Sequence, residues 1–228
     1  KKNLKYNLSI VDSCVCVDSG STDGTIEFLE ELGVKIYKNS FDGFGRQWNY
    51  LLDNHNFVTK WALKLDPDER ITDSLKKAIK VAVLSENTDV FQIKRQLYFL
   101  GGKIAIHDWP TRLWRVGKAR FSDVKVNEHL LPIDKNSVIE KVKGVIEHHD
   151  SPNLFNWYAK QNVYSTLEAN SRFENEELSV KPSFFGSSLQ KRMFLKLLFF
   201  KIPFRYTLIF FYFYLIRLNI LYGRRGYY

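Results

Sequence analysis

Two strand-like apolar runs in this chain end in acidic turns, and these turns limit the fold more than any other feature. The first is Val17-Asp18-Ser19-Gly20-Ser21-Thr22-Asp23-Gly24-Thr25, and the second is Leu65-Asp66-Pro67-Asp68-Glu69. Carboxylates at the carboxyl ends of neighbouring strands are where an open α/β sheet binds ligands. Two acids one residue apart on a tight turn can share one hard divalent cation, which commonly keeps a substrate phosphate as a further ligand. The pattern points to a nucleotide-diphosphate site in an α/β protein.

The periodicity of apolar residues agrees with that class. Strands are expected at residues 13–18, 34–37, 61–65 and 90–99. Helices are expected from Thr22/Asp23 to Leu32, over 46–54, and after a cap at Thr72 or Asp73 with Leu75, Ile79, Ala82 and Val83 on one face. Gly33 is placed to end the first of these helices. Such alternation predicts a mostly parallel sheet flanked by helices. Residues 100–147 break the alternation with Gly101-Gly102, Pro110 and strand-like stretches at 112–116, 121–126 and 138–145. They are expected to complete the sheet and wall a cleft. A helix is expected over 154–172. Beyond a linker at 182–188, two apolar helices are expected at about 189–200 and 203–220.

Charge divides the chain in two. The net charge of the 228 residues is +9, and residues 178–228 hold nine Lys and Arg with no Asp or Glu. We therefore expect an α/β domain over 1–177 and a basic, aromatic helical tail over 178–228. The longest uncharged run of that tail, Tyr206 to Ile216, falls short of the roughly 20 apolar residues of a spanning helix. A basic, aromatic, amphipathic segment suits the interface of an anionic membrane surface; a core-packed helical hairpin is the alternative. Nucleic acid is not expected as a partner, because so much apolar surface would go unused. Cys14 and Cys16, the two cysteines, lie on one face of a strand and cannot form an ordinary disulfide there. Two thiols are too few for a zinc site, and small apolar core residues are the expected role.

The order and spacing of several motifs resemble family 2 glycosyltransferases of the GT-A fold, above all bacterial enzymes of lipopolysaccharide-core and exopolysaccharide synthesis. The motifs are the Asp18–Thr25 loop, Phe41-Asp42-Gly43-Phe44-Gly45, Gln47 and Asn49, Trp61, Leu65-Asp66-Pro67-Asp68-Glu69-Arg70 and Asn127-Glu128. The tail sequence Gly223-Arg224-Arg225-Gly226-Tyr227 is also similar to tails of that group. The resemblance implies inverting transfer of a sugar from a nucleotide-diphosphate donor, expected to be a UDP-sugar, to a lipid-linked saccharide. It implies a divalent cation, Mn²⁺ or Mg²⁺, and a cytoplasmic location, peripheral at the inner face of the bacterial membrane.

Residue roles follow from the same resemblance. Asp18 would accept a hydrogen bond from the nucleotide base, with Gln47 and Asn49 also in the nucleotide site. Asp66 would touch the ribose or the metal, and Asp68 would bind the metal. Glu128 would take the proton of the acceptor hydroxyl, with His129 as a weaker alternative base. Asp23 is either a nucleotide-side ligand or a helix cap. His148 either assists at the metal and leaving group or is structural. Arg112 and Arg115 face either the phosphates or solvent, and Trp109 either stacks on a sugar or packs in the core. Trp48 stands where many members carry a basic residue; Arg46 could supply that charge. Lys1–Leu8 resembles only the end of the family's first helix, so the chain is expected to lack the first strand. An inactive remnant or a non-catalytic membrane-surface module is then the alternative function. A sugar-nucleotide nucleotidyltransferase would want a Gly-rich phosphate loop near its start, and the sequence has none there.

Overall fold

Along residues 90–99 the apolar side chains serve two faces of one strand, and this strand organises the larger of two structural units. In the computed structural model, residues 2–125, 127–151, 153–174 and 178–228 are described. One unit comprises Lys1–Gln96 with Asp108–His149, and the other Leu97–His107 with Asp150–Tyr228. The compositional boundary at 177/178 falls at residues 175–177, outside the described residues. Val126, which ends the strand expected at 121–126, and Lys1 also lie outside them.

The chain runs through α1 (Lys2–Asn7), β1 (Val15–Asp18), α2 (Thr25–Glu31), β2 (Lys35–Lys38), α3 (Phe44–Asn54), β3 (Trp61–Leu63), β4 (Glu69–Ile71) and α4 (Asp73–Ala82). Then follow β5 (Val90–Phe99), β6 (Gly102–Asp108), β7 (Thr111–Arg115), β8 (Ala119–Phe121), β9 (Leu130–Pro132) and β10 (Ile139–His149). In the first unit the main sheet has the order β3-β7-β5-β10-β4, and β1 pairs with β2. Ile71, Leu75, Ile79, Phe91, Ile93, Leu113, Val142 and Ile146 pack together between this sheet and α4. Val90, Trp114, Phe121 and Leu130 form a second cluster, against Trp48 and Leu52 of α3. Successive strand residues point to opposite faces, so Val90 and Phe91 serve the two clusters. The expected cap of α4 is present: Thr72 Oγ1 accepts from the Leu75 backbone N–H at 3.3 Å.

The mixed α/β class is as expected, but the strand polarity is not. Of the described registers only β1–β2 is parallel; β4–β10, β3–β7 and β5–β7 are antiparallel. The reason is connection length. A parallel pair needs a crossover of a dozen or more residues, usually a helix. Between the end of β5 and the start of β7 the chain instead makes a turn, β6 and another turn. The edge strand β4 is covered from an unexpected direction. Asn7, at the end of α1, donates Nδ2 to the Glu69 carbonyl at 2.9 Å and accepts from the Ile71 N–H at 3.1 Å. One side-chain amide thus replaces a neighbouring strand.

The Gly43-Phe44-Gly45 motif has a packing cause. At its start α3 lies against the 122–125 loop, with Phe44 N–H donating to Lys125 O at 2.9 Å. A Cβ on Gly45 would stand 2.0 Å from Ser122 O, and one on Gly43 2.8 Å from Lys125 Cα. Both obstacles are backbone, so they cannot swing aside. Gly45→Ala should therefore destabilise the fold by about 1–3 kcal/mol, read as a lowered urea midpoint. Gly20→Ala serves as the contrast: its φ is positive, as at Gly43 and unlike Gly45, but a Cβ there meets nothing within 4 Å. It should cost only backbone strain.

In the second unit, β5 ends in a tight turn with positive φ at Leu100 (47°) and Gly101 (74°), a primed hairpin geometry leading into β6. Helices α5 (Leu154–Phe173), α6 (Ser188–Lys201), α7 (Arg205–Phe211) and α8 (Arg224–Tyr227) follow. Ser187 and Gln190 form a reciprocal capping box at the start of α6. The helix expected over 203–220 is broken. After α7 come a π turn (Tyr212–Ile216) and a 3₁₀ turn (Asn219–Tyr222), with Phe204 and Leu218 left-handed. The buried Asn219 is the cause: it accepts from the Ala105 N–H at 2.9 Å and donates to the Phe213 carbonyl at 3.0 Å. These bonds hold the segment to β6 and prevent a continuous helix. Among the described residues no helix is long and apolar enough to cross a membrane.

Candidate active site

The acidic turn after β3 is a β-turn. Glu69 N–H donates to Asp66 O at 2.9 Å, with Pro67 at the second position, where its fixed φ is favourable. Glu69 returns a bond from its side chain, accepting from the Asp66 N–H at 2.9 Å. Strand β4 then pairs with β10 so that Glu69 lies opposite His148. This register brings His148 Nε2 to 3.1 Å from Asp68 Oδ2, while His149 N–H donates to the Asp68 carbonyl at 2.9 Å. Asp68 and His148 thus each turn a potential ligand atom toward one point.

Lys64 is the centre of the site. Its side chain is 5% exposed, and its Nζ lies 3.2 Å from Asp66 Oδ1 and 3.1 Å from Glu128 Oε1. The same ammonium sits 4.7 Å from the centroid of the Trp48 ring, a cation–π arrangement in a dry setting. Asn127, with φ of 60°, turns the chain just before Glu128; Asn is one of the few residues that adopts this conformation readily. The acidic turn and the carboxylate expected to act as base are therefore joined through one cation.

A row of charges, buried at Arg112 and Glu69 and more exposed toward Asp108, supports this centre. Arg112 on β7 reaches Asp66 Oδ2 at 2.9 Å and Glu69 Oε1 at 2.5 Å. Arg95 on β5 lies 3.6 Å from Glu69 and makes a two-bond pair with Asp108, at 3.0 and 2.7 Å. Burial works against ionisation of Asp66, but Arg112 and Lys64 outweigh it and hold the carboxyl well below the usual carboxylate range. Burial pushes the Glu69 carboxyl up, against the pull of Arg112. Both carboxylate oxygens of Asp66 are thus engaged by cations of the protein itself.

The other expected site residues are held in several places in the first unit. Asp18, at the end of β1, accepts from the Ser21 hydroxyl, the Gly20 N–H (2.7 Å) and the Ser21 N–H (2.9 Å). These bonds, led by the Ser21 hydroxyl, hold its carboxyl below the ordinary range. Asp23 accepts from the Thr25 N–H at 3.2 Å, at the start of α2. Gln47 exchanges bonds with Asn39, and Asn49 pairs with the backbone of Phe121 through both ends of its amide. Arg115 donates to the carbonyls of Thr88 and Ser85 and lies over Trp61. Three residues from Arg112, it faces the other side of β7. Trp109 is 36% exposed, with Lys141 over its ring. Arg46 pairs with Asp42 and Asp123.

With this geometry in place, similarity to known proteins becomes informative. The sequence profile described as Glycosyl transferase family 2 matches residues 7–143. The chain belongs to that family. An uncharacterized glycosyltransferase of Rickettsia prowazekii is 24% identical over 174 residues, covering 71% of this chain and 59% of the relative. One of Rickettsia bellii is 32% identical over 176 residues, covering 71% and 58%. LpsC of Rhizobium meliloti, a lipopolysaccharide core biosynthesis glycosyltransferase, is 26% identical over 172 residues, covering 71% and 62%. The chain thus spans about three fifths of the length of these three relatives. The matched span, residues 7–143, contains the acidic turn, Lys64 and Glu128; His148 lies just beyond it.

Sequence reasoning did not find Lys64, Arg95, Asp108 or Asn7 as site supports. A lysine in an apolar strand, immediately before two acids, was a signal for Lys64: such a charge is buried only with partners. Nothing local marks Arg95 or Asn7, whose roles depend on contacts distant in sequence.

Proposed function

We propose that this family 2 chain transfers a sugar, with inversion, from a UDP-sugar to a lipid-linked saccharide of the cell envelope. The observation that carries this reading is the Lys64 ammonium shared by Asp66 of the acidic turn and by Glu128. It joins the donor side and the acceptor side of a displacement at one place. Glu128 is the general base: its carboxylate takes the proton of the acceptor hydroxyl as the oxygen attacks the anomeric carbon. Lys64 orients Glu128 and keeps a positive charge between the two carboxylates. Asp18 offers its remaining acceptor capacity to the nucleotide base.

Asp68 and His148 would hold the divalent cation. Their donor set, one carboxylate oxygen and one imidazole nitrogen, suits Mn²⁺ better than Mg²⁺, which prefers oxygen and water. When bound, such an ion neutralises charge developing on the leaving diphosphate. Asp66, held by Lys64 and Arg112, acts as a fixed support for the turn and not as the main ligand. The relation to LpsC supports an envelope glycan as acceptor. The aromatic and basic tail, with Phe185, Phe204 and Ile216 largely exposed, supports a position at the inner membrane surface.

Calorimetric titration with UDP and Mn²⁺ tests the reading. Asp68→Asn should weaken Mn²⁺-dependent UDP binding by about 10–100-fold, with the melting curve unchanged. Equal affinity in wild type and variant would remove the metal role from Asp68.

A further inference from the structure

The tail sequence Gly223-Arg224-Arg225-Gly226-Tyr227 takes no part in the reading above, yet it builds one wall of a cavity. That cavity, about 250 Å³, lies within the second unit. Its other walls come from the β5–β6 hairpin (Phe99, Ile104, Ile106), from Trp157 of α5, and from Ile209 and Phe213. An apolar cavity of about 150 Å³ already takes a benzene molecule. The shape depends on glycine: a Cβ on Gly226 would stand 1.8 Å from Asn219 O, so only glycine lets α8 close onto the Asn219 clip.

Two charged residues line this apolar space. Asp150 is neutralised by Lys160 at 2.9 Å. Arg225 donates Nε to the Leu100 carbonyl at 3.1 Å and has no carboxylate partner among the described residues. An apolar slot with an exposed guanidinium on its wall fits an amphiphile that pairs a hydrocarbon chain with an anionic head. The surroundings favour a lipid over a soluble metabolite. Residues 178–228 carry only positive charge, and Phe210, Phe211, Leu215 and Tyr227 are exposed beside it.

We propose that this cavity binds one acyl chain of an anionic membrane phospholipid, with the lipid phosphate on Arg225. The proposal rests on the membrane-side reading of the tail, but not on the sugar-transfer chemistry. It makes the tail a specific lipid receptor instead of a merely sticky surface.

The test uses phosphatidylglycerol vesicles doped with a phosphatidylglycerol that carries a photoreactive diazirine on its acyl chain. Labelled peptides from the full chain should cluster in residues 97–107 and 209–214. Ile106→Trp, which fills the cavity, should cut that labelling at least tenfold while the protein still sediments with vesicles. Ile209→Trp fills the space from a more exposed wall and serves if Ile106→Trp fails to fold. Arg225→Gln should weaken cavity labelling by about tenfold, as loss of a charge-assisted bond implies. Labelling confined to Phe184, Phe185 and α6, or unchanged in both tryptophan variants, would overturn the proposal. Loss of UDP binding by a chain that still labels in the cavity would overturn the transferase reading alone.

Discussion

Arg112→Met should destabilise the first unit by about 3–5 kcal/mol, the range seen when one member of a buried ion pair is removed. Glu69 has no exposed surface, and Arg112, 4% exposed, is its nearest cation. Without it, the cations left among the described residues are Arg95, 3.6 Å from Glu69, and Lys64 beside Asp66. Methionine fills much of the volume, so the loss is electrostatic and not a cavity effect. A domain of this size has about 5–15 kcal/mol of stability in total, so the variant should sit close to unfolding at room temperature. The decisive comparison is the double variant Arg112→Met/Glu69→Gln. If the cost arises from a stranded carboxylate, the neutral glutamine should recover part of it in urea melts. A double variant as unstable as the sum of two damaging singles would show that packing, not charge, is what Arg112 supplies.

That network also marks the limit of what the sequence revealed. The helices were legible because their causes are local. Thr72 caps α4, Gly33 ends the turn after α2 with a φ of 69°, and the apolar stripe of α4 faces the sheet. The acidic turn was legible too, since Pro67 and the flanking acids specify a β-turn by themselves. Strand polarity was not, because it depends on which distant strands pair. The long helix expected over 203–220 failed for a related reason. Its apolar composition allowed a helix, but Asn219 is bonded to β6, over a hundred residues earlier. At the site, residue types marked Asp68 and Glu128 as candidates. Their surroundings depended on Lys64, Arg95, Asp108 and Arg112 meeting across the sheet, which no local pattern encodes. Asn49 shows the converse: its place in a motif suggested the nucleotide, while its amide is bonded to the backbone of β8.

Glu128→Gln should lower turnover by about 10²–10⁴-fold, the usual contribution of a positioned general base. The assay is UDP release from a UDP-sugar in the presence of envelope glycolipid. The substitution is close to isosteric, and its amide oxygen can still accept from Lys64 Nζ, so the fold and the turn should be preserved. UDP affinity should therefore stay within about twofold while turnover falls, since the lost step is proton removal and not donor binding. The geometry makes this separation meaningful. Lys64 contacts Asp66 on one side and Glu128 on the other, so a change that disturbed the lysine would damage both functions together. Lys64→Met is the control for that case: it should weaken UDP binding as well as turnover, because it frees both carboxylates to repel one another. If Glu128→Gln turns over at the wild-type rate, the proton goes elsewhere. His129, the next residue, is then the base to test.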